Sequence, residues 1–150
     1  MKVSIRLRRD TITPDLRRAL RASQNPGPAL RAGAQVVVEH AKRAFRESDL
    51  RAASWKALSD RTRAEKRRAR KSNAILIRDG HLIRTPRILT SESRRVIVGS
   101  NLFYARFHQL GTKRGIPARP FWPFDSTGRM TAKTARVVRA IIARRLRITQ

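Results

Sequence analysis

Three groups of residues in this chain have types and spacing that could do chemistry. His108 stands beside Gln109 in Tyr104-Ala105-Arg106-Phe107-His108-Gln109-Leu110-Gly111; Arg119 sits between prolines in Ile116-Pro117-Ala118-Arg119-Pro120-Phe121; and Asp79, Glu92 and Asp125 are the acids from which a two-metal phosphodiesterase site can be drawn on paper. Acid-base, nucleophilic or metal chemistry at His108 needs a carboxylate, a thiol or a second imidazole close by, and the surrounding stretch supplies none. His40 and His81 show no metal-ligand spacing, and cysteine is absent, which excludes thiolate catalysis and disulfides. With 10 Asp+Glu in 150 residues, chance acidic triplets come easily, and no short spacing ties Asp79, Glu92 and Asp125 together. These residues therefore read as a non-enzyme with no catalytic residue, cofactor or metal, and His108 as a structural hydrogen-bonder at the end of an element.

The Arg119 segment invites a different reading. Pro117 and Pro120 each fix their own φ and disfavour helix in the residue before, so the segment is extended and stiff. A guanidinium on such a backbone presents a planar fork suited to carboxylate or phosphate. Phe121, Trp122 and Phe124 then surround Pro123. These rings either seal a sheet against the C-terminal helix or form a subunit interface, where aromatics and Arg are enriched, and both roles can hold. Tyr104, Phe107, His108, Gln109, Gly111, Pro117, Arg119, Pro120, Phe121 and Trp122 make up the expected interface or structural set. If the interface role dominates, Phe121→Ala and Arg119→Ala should impair assembly while the monomer still folds.

Charge points to the partner. There are 36 Lys+Arg against 10 Asp+Glu, a formal net charge of +26. A chain of that charge attracts polyanions or acidic proteins. The densest run, at 61–71, sets Arg61, Arg63, Lys66, Arg67, Arg68, Arg70 and Lys71 against Glu65. Like charges repel within such a block, so a mobile arm or frayed helix is expected, able to meet DNA phosphates through salt-sensitive counterion release. It lacks interleaved aromatics for base stacking, which leaves base-specific readout unsupported.

The elements that would position these residues follow from periodicity. Hydrophobic content of 40% supports a folded chain, and 150 residues suit one domain over 1–150 with a real core. Residues 3–8 alternate as a short strand, Pro14 marks a turn, and 15–22 suits a short helix. Asn25-Pro26-Gly27-Pro28 breaks the chain, after which Leu30, Ala34, Val37, Val38, Ala41 and Phe45 stripe a long helix over about 28–48. Trp55 and Leu58 anchor the loop that follows. Asp79-Gly80, between Ala74-Ile75-Leu76-Ile77 and Leu82-Ile83, predicts a hairpin, although a helix ending at Gly80 would use some of the same residues. Arg87–Leu89 and Arg95–Val98 predict further strands, and Ala135, Val138, Ile142 and Leu146 a C-terminal helix over about 131–147. The expected class is α+β, a small antiparallel sheet with both helices packed on one face and sheet edges open to a neighbouring copy. No apolar run approaches the ~20 residues that span a bilayer, and Met1-Lys2 does not lead into a signal-peptide core. A soluble protein made in the cytoplasm, with no membrane partner, is expected.

The motif at 104–111 and 116–121 resembles the signature of the phage virion morphogenesis, or tail completion, family of Mu-like phages and related prophages. Phe45 with Trp55-Lys56-Ala57-Leu58-Ser59 and Thr62 is similar to that family's helix end and tryptophan loop; Ile75-Leu76, Asp79-Gly80 and Leu82 resemble its hairpin, and Val96-Ile97-Val98-Gly99-Ser100 its next strand. The likeness runs from about Leu30 to Phe121. Leu50-Arg51-Ala52-Ala53-Ser54 stands where the family usually has a proline and a glycine, and Trp122-Pro123-Phe124 replaces small residues. The resemblance implies a structural protein of the neck or tail terminus, assembled in the host cytoplasm, completing the tail so that it joins the DNA-filled head. It further implies a hexameric ring meeting neck, connector and tail tube proteins, with the basic surface facing the genome or acidic neighbours. A free, sequence-independent nucleic-acid-binding protein is the rival reading, and a nuclease using Asp79, Glu92 or Asp125 a third.

Overall fold

Pro26 and Pro28 stop any helix arriving from upstream and start the next one. In the computed structural model, which describes residues 17, 20, 21, 24–125 and 127–146, helix α1 runs Gly27–Arg43 with Pro26 as its N-cap. Proline suits this first turn because its missing N–H would have had no helical partner. The helix ends earlier than the apolar stripe, and Ala44 and Phe45 continue the buried side through a turn. The strand at 3–8 lies outside the described residues, as does the helix at 15–22 apart from helical Arg17, Leu20 and Arg21.

Small residues decide what α1 packs on. Ala29, Gly33, Val37 and Ala41 recur every four residues on its buried side. A Cβ on Gly33 would stand 3.1 Å from Ile142 and 3.2 Å from Val138, so the absent side chain is the space into which the C-terminal helix fits. That helix, α5, spans Ala132–Leu146 and packs along α1. Between them Thr134, almost fully buried, bonds His40 Nδ1 at 2.9 Å and accepts from Thr131 at 3.0 Å, which satisfies the polar groups enclosed there. Lys133 pairs with Asp49 at the edge.

The antiparallel sheet has two strands, β1 Arg87–Ser91 and β2 Val96–Gly99, and α1 covers one of its faces. Arg87 pairs with Gly99 and Ile88 with Val98, then the register slips so that Thr90 faces Ile97. Leu89 is the extra residue of this bulge and stands 48% exposed.

The segment expected as a hairpin at 74–84 is not one. Residues 74–80 form turns, and a short helix, α3, runs His81–Arg84. Gly80, read as part of a hairpin turn or as the end of a helix, instead precedes one as the N-cap of α3, with a φ of 75°. Leu76 also has a positive φ of 61°, which breaks the extended run. The carbonyls of Ser72, Ala74 and Ile77, free of any strand ladder, converge on Lys66 Nζ at 2.9, 2.7 and 2.8 Å.

That ammonium belongs to helix α2, Asp60–Arg68. The basic run thus folds as a helix, capped by Ser59, whose hydroxyl accepts from Thr62 N at 3.3 Å. Asp60 and Glu65 pair with Arg63 and Arg61, which relieves part of the repulsion within the block.

Candidate interaction surface

The aromatic motif divides into a side that builds the core and a side that faces solvent. Helix α4, Ala105–Leu110, turns Ala105 inward to join a cluster of Phe45, Trp55, Leu82 and Phe121. Phe45 packs at 5.2 Å from Phe121 and edge-on at 6.0 Å from Trp55, ring centroid to centroid. Trp55 Nε1 donates to Pro120 O at 2.9 Å, and Arg51 lies 4.0 Å over the indole. Phe121 has no exposed surface.

The Gln109 side chain and backbone bonds from α4 brace the proline segment, whereas the His108 imidazole, expected as a structural hydrogen-bonder, has no partner at Nδ1 among the described residues and only its backbone carbonyl takes part. Gln109 Oε1 accepts from both Phe121 N and Trp122 N at 3.0 Å. Gly111 ends the helix at φ 74° and ψ −179°, a combination reserved to glycine, and a Cβ there would lie 2.8 Å from Ala118 N. Arg119 N donates to His108 O at 2.6 Å. The Arg119 guanidinium turns inward: it is 9% exposed and donates to Lys56 O at 2.9 Å and Ala57 O at 3.1 Å. It staples the loop after Trp55, where the sequence led one to expect a fork aimed at an outside partner. Phe121→Ala and Arg119→Ala therefore damage the domain itself and cannot isolate an interface.

The outward side is carried by residues the sequence reading passed over. Phe103, in the turn that leads into α4, and Leu110, the last residue of α4, are 77% and 71% exposed. Phe103 meets Tyr104 and Phe107 edge-on at 5.5 and 6.4 Å, so its ring is held in place although it is open to solvent. Arg106 lies 4.8 Å over Phe107. A groove of about 510 Å³ runs alongside, walled by Leu102, Phe103, Leu110 and Trp122. The available signal was spacing: Phe103 and Phe107 lie four apart around a helix whose inward position is the small Ala105.

On α2, Arg61, Arg63, Arg67 and Arg68 are exposed, as are Arg70 and Lys71 just beyond it; Lys66 is buried, with its three donors on carbonyls, and leaves the outward set. Lys71 pairs with Asp79 at 2.7 Å. Asp79, Glu92 and Asp125 have separate local partners, in Lys71, Arg95 and the turn at Thr127 and Arg129. Among the described residues no group of three or more His, Cys, Asp or Glu is placed to hold a metal ion, and no helix is long and apolar enough to cross a membrane.

A model of the phage virion morphogenesis family matches residues 8–147. The chain belongs to that family. Its motif thus performs in this member the structural work just described, and membership gives the chain a structural role in virion assembly among other phage proteins. No curated protein and no solved structure matches it.

The buried imidazole of His40 and the half-buried one of His108 make the folded family member sensitive to acid. Burial and then Arg119 lower the pKa of His108, and burial followed by Arg43 and Lys133 lowers that of His40, each from 6.5. Below 6.5 the unfolded chain takes up protons that the folded chain refuses, so this contribution is intact above that value and is lost as pH falls toward the folded pKa values. Urea unfolding at intervals between about pH 8 and about pH 5 should show stability falling through that window, and less steeply in His108→Gln. A profile unchanged by the substitution would remove His108 as a cause.

Proposed function

We propose that this protein acts as a ring at the neck or tail terminus of the virion, where it completes the tail and joins it to the DNA-filled head.

The exposed pair Phe103 and Leu110 carries this reading, because a helix whose other side is sealed into the core presents them on a surface otherwise rich in cations. Ring closure needs two different patches that meet head to tail. The exposed Leu89 and Ile97 of the sheet offer an apolar counterpart, away from the core cluster. Neck, connector and tail tube proteins are the neighbours such a ring would meet.

The test is particle assembly. Phe103→Asp with Leu110→Asp should cut the yield of infectious particles at least tenfold and leave separate heads and tails, while the purified variant unfolds at the same denaturant concentration as the parent. Normal yield would sink the interface role. Purified parent particles should hold six copies of the chain by quantitative mass spectrometry, and its absence from them would sink the neck assignment. Arg67, Arg68 and Arg70, exposed beside a helix pinned by Lys66, favour a further contact with the genome. Their reversal to Glu should weaken DNA binding and flatten its salt dependence. If the chain proves absent from particles but keeps that binding, the free nucleic-acid-binding reading takes over.

A further inference from the structure

Among the described residues two cations, Lys66 and Arg119, are buried without an ion-pair partner. Lys66 and Arg119 are 8% and 9% exposed, and among the described residues the charges bearing on Lys66 are Arg78 and Arg119. Both line one cleft of about 330 Å³ together with Arg78, His81, Tyr104 and His108. The acid on its lining is Asp79, which Lys71 already holds at 2.7 Å. Charges taken out of water are ordinarily paired, because desolvation is costly for an ion left alone.

Hydrogen bonding points the same way. Lys66 has all three donors on carbonyls, whereas Arg119 uses two of its five and leaves the others without an acceptor among the described residues. His108 Nδ1 is shielded from solvent and has no hydrogen-bond partner. Leu58, Leu76 and Leu82 complete the walls. The unfilled donors of Arg119, net positive charge and apolar walls together describe the complement of an anion that has an apolar stem.

We propose that this cleft takes a carboxylate carried on a short apolar body, supplied in the virion by an acidic side chain of a neighbouring protein. The identity of the supplier rests on the assembly reading above; the chemistry of the cleft does not. A phosphate fits less well, since it has nothing to place against the three leucines.

Sodium butyrate is the probe, titrated into the isotope-labelled full-length protein and followed by NMR at the ring signals of His108 and Tyr104. Saturable shifts are expected with millimolar affinity, at least tenfold weaker for butyramide, which has the same stem without the charge. Arg78→Gln, at an exposed side chain that lines the cleft, should weaken butyrate several-fold. Equal binding of butyramide would reduce the cleft to an apolar hole and overturn the proposal. Tighter binding of inorganic phosphate than of butyrate, or no saturable shift up to about 100 mM butyrate, would overturn it as well. A positive titration with the chain missing from particles would overturn only the neighbouring protein as supplier, while a negative titration leaves the assembly reading standing.

Discussion

Phe121→Ala is expected to lower the unfolding free energy by about 3–5 kcal/mol, the range for removing a large ring from a packed core. The site leaves little room for relaxation. Phe121 is completely enclosed, its ring contacts Phe45 and lies 5.9 Å from Trp122, and its backbone N–H is held by Gln109. The neighbouring Pro120 carbonyl is fixed by the Trp55 indole, which limits how far the segment can collapse into the cavity. Loss of this size is a large part of the ~5–15 kcal/mol that typically holds a domain together. Urea unfolding would measure it, with Phe121→Leu expected to cost clearly less. A change below about 1 kcal/mol for the alanine variant would mean that the ring is not the keystone of this cluster.

The motif was legible as a motif, but the direction in which its side chains point was not. Two prolines and a pair of glycines around an aromatic cluster announced a rigid shape, and the glycine at 111 proved necessary for its backbone angles. Whether Arg119 faced outward depended on two carbonyls at Lys56 and Ala57, more than sixty positions away, which spacing within the motif cannot reveal. The long helices and the strands at 87–91 and 96–99 were readable because each satisfies its own backbone locally and shows its period in the side chains. Ile75-Leu76-Ile77 misled for the opposite reason. All three pack against one core cluster rather than alternating between faces, and their backbone is organised by a lysine from another element. Gly33 shows the same limit from the other side: an undistinguished glycine within a helix turns out to be where α5 fits, a fact visible only once the partner helix is in place.

Lys66→Met should cost about 2–4 kcal/mol, although it replaces a lysine in the most basic stretch of the chain with a side chain of similar length. The ammonium gathers the carbonyls of Ser72, Ala74 and Ile77, and methionine would leave all three without that donor while keeping the apolar stem in place. Each lost bond involves a charged donor, the stronger kind, and partial access of water to the turns offsets some of the loss. The turns at 72–80 should loosen first. Hydrogen exchange at the amides of Ala74 and Ile77 should accelerate more than at Val37 or Val38 in α1, which distinguishes local release from global destabilisation. Arg67→Met, one position along on the exposed side of the same helix, should change stability by less than about 0.5 kcal/mol. If both substitutions prove equally mild, Lys66 is one more solvated charge and the basic helix is not fixed to the body of the protein. If only Lys66→Met is severe, a single buried cation holds α2 in place so that Arg67, Arg68 and Arg70 meet their partner from a fixed position.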